Sequence, residues 1–182
     1  MEYASREVLI KSGKMCVIRR AEEADAEMML EYLKAVFGET PYMLQEPEEV
    51  RTNLEEEREL LRRAAEDPRW LVLLAFVDGD FAGSCSFAAV SERSRAQHRC
   101  TVGISLYRAF WDMGIGTALL EELLEAAEAA GYEQAELDVV SANEKAVRLY
   151  QKLGFEAAGA VPHAVKYADG TYADFLFMVK RF

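Results

Sequence analysis

The chain is poor in the residues that build metal centres and disulfide frameworks. Its three cysteines, Cys16, Cys85 and Cys100, form no C-x-x-C pair, and its only two histidines are His98 and His163. An odd, scattered set of thiols suits neither a disulfide network nor a zinc cluster, so all three are expected to be reduced and mostly buried, with no bound metal. Basic residues are scarce as well: 21 Lys and Arg stand against 32 Asp and Glu, a formal net charge of -11. A phosphate backbone needs a basic face, which argues against nucleic acid as a partner. A cationic acceptor, by contrast, would be steered towards such a surface. No apolar run approaches the roughly 20 residues that cross a bilayer, so no membrane partner is expected. The opening MEYASREVLIKSGK lacks the continuous apolar stretch of a signal peptide, and a cytoplasmic protein is the expectation.

What is present is enough apolar material, 51% of 182 residues, for one domain spanning residues 1–182 with a proper core. Val8–Ile10 and Met15–Ile18 read as short strands joined at Ser12-Gly13-Lys14. From Asp25, a candidate N-cap, Met28, Met29, Tyr32, Leu33, Val36 and Phe37 recur at helical spacing until Gly38. Pro47 is expected to open a second helix with Val50, Leu54, Leu61 and Ala65 on one face, closed at Asp67-Pro68. Trp70–Val77 and Phe81–Val90 flank Asp78-Gly79, a dipeptide suited to a type I′ turn. His98–Leu106 reads as a strand, Gly114–Ala130 as a long helix, Gln134–Val140 as a strand and Asn143–Leu153 as a helix. Phe155–Ala160 and Thr171–Val179 complete the pattern around Asp169-Gly170. Such an order predicts an α+β, three-layer fold: a mixed, mostly antiparallel twisted sheet of about seven strands with helices on both faces.

The stretch VGISLYRAFWDMGIGTALLEE, residues 102–122, sets a strand, a glycine loop and a helix in sequence. Gly114 and Gly116 would let backbone approach a bulky ligand, while the first helical turn leaves N–H groups without internal partners. Those donors and the dipole form an anion site that needs no basic side chain. A nucleotide P-loop is excluded because no Lys-Ser or Lys-Thr pair follows, and the dinucleotide fingerprint fails because its third glycine position is Leu119. An ordinary strand-to-helix turn remains open on this motif alone. A second constellation, LDVVSANEKAVRLYQKLGF at residues 137–155, places Ala146 and Tyr150 on one face of a helix, a small residue beside a phenol.

Together these motifs resemble the GNAT superfamily, the Gcn5-related N-acetyltransferases, over roughly residues 15–180. The likeness rests on Gly114-Ile115-Gly116 and on Asn143, Ala146, Leu149, Tyr150, Gly154 and Phe155. The resemblance implies direct transfer of an acetyl group from acetyl-CoA to a primary amine of a small molecule or peptide, by a monomer or homodimer. It places the cofactor-binding core at about residues 98–160 and acceptor-side helices at about 22–66. It also implies that backbone groups of Ile104 and Leu106 meet the pantetheine arm. Met113, Gly114, Ile115, Gly116 and Thr117 would then surround the pyrophosphate, with Trp111 and Asp112 preceding them. Trp111 departs from the Arg or Gln frequent in the family at that position.

By the same resemblance, Asn143 and Ala146 accommodate the cofactor tail, and Tyr150 donates a proton to the departing sulfur. Asn143 serves equally well as a helix N-cap. Arg108, Lys145, Arg148 and Lys152 are candidate partners for the outer phosphate. The general base stays open between Glu39 beside Thr40-Pro41, Glu136 or Asp138 on the central strand, and an ordered water alone. His98 is expected at a rim and His163 in a polar turn without a role. A non-catalytic acyl-CoA sensor or interaction module on the same fold is the competing reading.

Overall fold

The computed structural model describes residues 3–182. Its strands are β1 (Arg6–Leu9), β2 (Met15–Arg20), β3 (Leu71–Val77), β4 (Asp80–Ala89), β5 (Arg99–Leu106), β6 (Gln134–Val140), β7 (Glu156–Lys166) and β8 (Tyr172–Arg181). Four helices, α1 (Ala26–Glu39), α2 (Leu54–Glu66), α3 (Ile115–Ala129) and α4 (Glu144–Lys152), interrupt them. One sheet runs β1-β2-β3-β4-β5-β6-β8-β7, and every neighbouring pair is antiparallel except β5 and β6. It holds eight strands rather than about seven, because short β1 pairs along its full length with β2.

Alternation along β3 explains the three layers. Leu71, Leu73, Ala75 and Val77 join the cluster under α3, whereas Val72 and Leu74 join Met29, Tyr32, Val36 and Leu61 under α1 and α2. A strand buried on both faces reads as a continuous apolar run, as this one does. Tyr32, fully buried, spans from α1 to β5, where its hydroxyl meets Ser105 Oγ at 2.6 Å. Burial raises its phenol to about 12, against hydrogen bonds from Ser105 and Ser84. All three cysteines are free and buried. Among the described residues no helix is long and apolar enough to cross a membrane.

Several boundaries differ from the sequence reading for local reasons. Pro47 opens only a 3-10 turn, Pro47–Glu49, and α2 begins seven residues later under a reciprocal cap. There Asn53 Oδ1 accepts the Glu56 N–H, and the Glu56 carboxylate accepts the Asn53 N–H, each at 3.0 Å. The buried face is consequently Glu57, Leu61 and Ala64, with Ala65 exposed. Gly38 lies inside α1, which ends where Thr40 turns extended before Pro41. Strand β7 runs past Ala160 to Lys166 because bulges absorb Ala158 and the Pro162 segment. His163 therefore sits in a bulge, not a turn: its φ is 53°, its N–H donates to Asp174 Oδ1 at 2.8 Å, and its ring stacks on Tyr172.

The parallel contact is short. β5 and β6 pair only through Arg99 with Gln134, Cys100 with Ala135 and Thr101 with Glu136. At this closed end Arg99 Nη2 donates to Glu136 Oε2 at 2.8 Å, and Gln134 Nε2 donates to the other oxygen at 2.7 Å. Glu136 is only 4% exposed, and the Arg99 guanidinium holds its carboxyl below the ordinary range against the opposing effect of burial. A depressed folded-state pKa contributes stability above the unfolded value and loses it as pH falls through the folded one. Glu136→Gln should therefore lower the melting temperature at neutral pH, and the gap to the parent should close as pH falls below the carboxylate range. Thermal melts across pH 3–8 check this; a gap that persists in acid would contradict it.

Candidate active site

Beyond Thr101 and Glu136 the two parallel strands keep their outer partners and leave each other. β5 stays on β4 as far as Leu106 opposite Gly83, and β6 stays on β8 as far as Val140 opposite Phe175. Between them opens a cleft of about 1220 Å³. Its wall includes Ile104 and Leu106 of β5, Gly114, Gly116 and Thr117 at the start of α3, and Asn143, Ala146 and Tyr150 of α4. These side chains and glycines, distant in sequence, meet along one continuous surface. Trp111 and Asp112 line it too. Met113 and Ile115 turn their side chains to the core, where Ile115 is fully buried, so only their backbone can serve the cleft.

The glycine loop is shaped by its neighbours. Asp112 and Gly114 adopt φ values of 63° and 91°, and the Met113 carbonyl accepts the Ser12 N–H from the β1–β2 hairpin at 3.3 Å. A Cβ on Gly114 would lie 2.9 Å from Lys11 Cβ, and one on Gly116 would lie 3.2 Å from Leu149 Cδ2. The sequence reading had each glycine clear space for a ligand. The geometry gives a different reason: Gly114 admits the hairpin and a left-handed backbone, and Gly116 lets α4 close on α3. Ala118 makes the first helical bond, onto the Gly114 carbonyl, so the N–H groups of Ile115, Gly116 and Thr117 stand ahead of the ladder at the positive end of a 15-residue helix.

Charges around this end are partly spent internally. Lys145 Nζ meets Asp112 Oδ2 at 2.7 Å, and Arg148 meets Glu144 Oε2 at 2.9 Å. Lys11 and Lys152 also line the cleft. Arg108 and Lys145 stand 6.0 Å from the centre of the Trp111 ring, whose indole N–H donates to the Leu106 carbonyl at 3.0 Å. That carbonyl, expected to face a ligand amide, thus already has a partner. Lys11 was not foreseen, since nothing in a hairpin turn signals contact with a loop so far along the chain.

On α4, Asn143 Oδ1 accepts the Ala146 N–H at 3.3 Å, capping the helix. Tyr150 is 8% exposed, its ring edge-on to Phe155, and burial pushes its phenol up to about 12. Glu39 is not part of the cleft wall, although its neighbour Thr40 is: its Oε2 accepts the Arg108 N–H at 2.6 Å and fixes the turn that follows β5. Glu136 is locked in the closed end, whereas Asp138, two residues on, is exposed in the cleft. His98 lies outside it, its carbonyl taking the Glu133 N–H. The opposite wall runs from Val36, Phe37, Tyr42, Met43 and Leu44, within the stretch expected on the acceptor side, to Phe175, which was read only as part of a strand.

The two glycines should separate experimentally. Gly114→Ala places an L side chain at positive φ against backbone and should cost about 1–3 kcal/mol. Gly116→Ala, which asks one leucine methyl to yield, should cost about 1 kcal/mol or less. Urea denaturation of both variants measures the difference; equal losses would contradict these separate roles.

Known proteins share this architecture. The sequence profile of the Acetyltransferase (GNAT) family matches residues 29–155. The L-amino acid N-acetyltransferase of Escherichia coli is 31% identical over 121 residues, 65% of this chain and 72% of that protein. A GNAT-family acetyltransferase from Streptococcus pneumoniae superposes with a TM-score of 0.87 at 32% identity, over 92% of this chain and 99% of the other. A phosphinothricin acetyltransferase from Sinorhizobium meliloti, solved with acetyl-CoA, shares the fold at a TM-score of 0.81 and 21% identity, over 92% of this chain and 88% of that one. With a parted parallel pair, a glycine loop at a helix start and a profile match over most of its length, the chain belongs to the GNAT family of acetyltransferases.

Proposed function

We propose that this acetyl-CoA-dependent N-acetyltransferase passes its acetyl group directly to a primary amine of a small molecule or peptide, with Tyr150 serving the leaving sulfur. One observation carries the reading: a single cleft joins the N-terminus of α3, the Tyr150 phenol and the loop after α1. Its volume exceeds the usual upper range of about 1,000 Å³ for a one-ligand pocket, which suits a cofactor arm meeting an acceptor. The bound thioester would supply the acetyl group and a thiol leaving group.

Each part of the wall has a task. Backbone N–H groups of Ile115, Gly116 and Thr117 offer donors to a diphosphate, and Lys11 and Lys152 add charge beside them. Asn143 caps α4 with its oxygen and keeps its amide N–H groups for a ligand carbonyl. Ala146 leaves space beside Tyr150 on the same helical face. Tyr150 holds its proton throughout neutral pH, well above the ordinary thiol value of about 8.5. It therefore acts as an intact O–H donor to negative charge gathering on sulfur. Glu39 is assigned to positioning the turn at Arg108. A cytoplasmic setting fits three unpaired thiols.

A second reading of the acceptor follows from the Escherichia coli relative, which is named for L-amino acids and shares 31% identity. On that reading the acceptor carries its own carboxylate.

Tyr150→Phe should lower kcat by about 100-fold while leaving the affinity for acetyl-CoA within a factor of about 3. Thiol release measures the first and calorimetry with acetyl-CoA the second. Because the phenol sits near 12, the parent should show no Tyr150-dependent loss of kcat between pH 8 and 10. Full turnover in the variant would remove Tyr150 from the mechanism and favour a different donor. A parent that binds acetyl-CoA but acetylates no amine would point to a non-catalytic sensor.

A further inference from the structure

The cleft has two ends of opposite electrical character, a contrast that bears on the acceptor if the transferase reading above holds. Among the described residues, every lysine and arginine in its wall belongs to one end: Lys11 packs against Gly114, and Lys145, Arg148 and Lys152 lie on α4. The other end is formed by Val36, Phe37, Met43, Leu44 and Phe175 with the ring of Tyr42. Here the ionised group is Asp138. Its neighbours Leu137 and Val139 are buried in the core under α3, so strand alternation turns Asp138 to the opposite face of the sheet, the side of α1. It is solvent-exposed, and among the described residues no side chain pairs with it. Two cations outside the wall are engaged by rings: Lys166 stands over Tyr172 at 5.7 Å, and Arg108 stands over Trp111 near the glycine loop.

We propose that the acceptor is a primary amine on an apolar alkyl or aryl body, with no carboxylate on the carbon that bears the amine, and that Asp138 draws in its ammonium group. The apolar wall gives the body a place to leave water, and Asp138 gives the positive head a partner. An α-amino acid would bring a second carboxylate into the same end, beside Asp138 and without a cation. Like charges so placed disfavour binding. The negative end also keeps the acceptor from competing for the α3 amides, which lie among the cations.

The test uses the full chain with acetyl-CoA and three acceptors of one aryl body: phenethylamine, phenylalanine and phenylalanine methyl ester. Thiol release should give kcat/KM for phenethylamine and the ester about 100-fold or more above that for phenylalanine. Asp138→Asn should raise the KM for phenethylamine about tenfold, with the affinity for acetyl-CoA unchanged. Phenylalanine used as well as phenethylamine, or neither amine used by a protein that coenzyme A stabilises, overturns the acceptor assignment. An unmoved KM in Asp138→Asn overturns the role of that carboxylate. Absence of any rise in melting temperature with coenzyme A instead overturns the transferase reading on which the acceptor assignment rests, and so separates the two failures.

Discussion

The separation of two parallel strands is the constraint on which everything else depends. β5 and β6 are held together for three residue pairs, with Arg99, Gln134 and Glu136 binding the closed end. Past that point each strand remains straight because its other neighbour continues to hold it: β4 on one side, β8 on the other. Backbone groups along the two inner edges are then withheld from sheet pairing, and an interior edge left dry would be costly. A cleft reconciles the two demands, since water or ligand amides can meet those groups. The enclosing helices are placed to suit, with α3 and α4 on one face and α1 on the other.

How an acidic protein recognises an anion follows from the same geometry. With a net charge of -11, the chain cannot rely on its overall field, which repels phosphate. The α3 start substitutes oriented amides for basic side chains, and the few cations nearby are clustered there, two of them already balanced by Asp112 and Glu144. Charge is thus distributed along the cleft, with the cations near the α3 start and Asp138 away from them. An anion and a cation can therefore occupy neighbouring parts of one cavity without exchanging places.

Much of this was written locally in the sequence. Asp78-Gly79 adopts φ values of 54° and 91°, as its hairpin chemistry requires, and Asn143 caps α4 from the position its residue type suggests. The Gln134–Val140 strand keeps the limits that its alternation marks. Tyr150, singled out by its motif, lies in the cleft wall, and ten of the proposed cofactor-side residues line that wall by side chain or by Cα. Less legible were features decided by partners. Pro47 is a good helix opener, yet it opens only a 3-10 turn, and α2 starts at the Asn53 cap instead, although both starts carry a reciprocal cap. β7 passes through Pro162 because a bulge lets Asp174 take the His163 N–H. No local pattern could announce that Gly114 is reserved for Lys11, or that Glu39 would spend an oxygen on Arg108.

The contact between the β1–β2 hairpin and the glycine loop has a consequence for how the molecule is made. Ser12 and Lys11 touch Met113 and Gly114, so the loop takes its shape against a surface synthesised long before it. During translation the hairpin must wait, exposed, until α3 has emerged, and closure of that long loop in the chain belongs among the slow, non-local steps of assembly. The anion site is thereby completed only when two segments far apart in the chain have met.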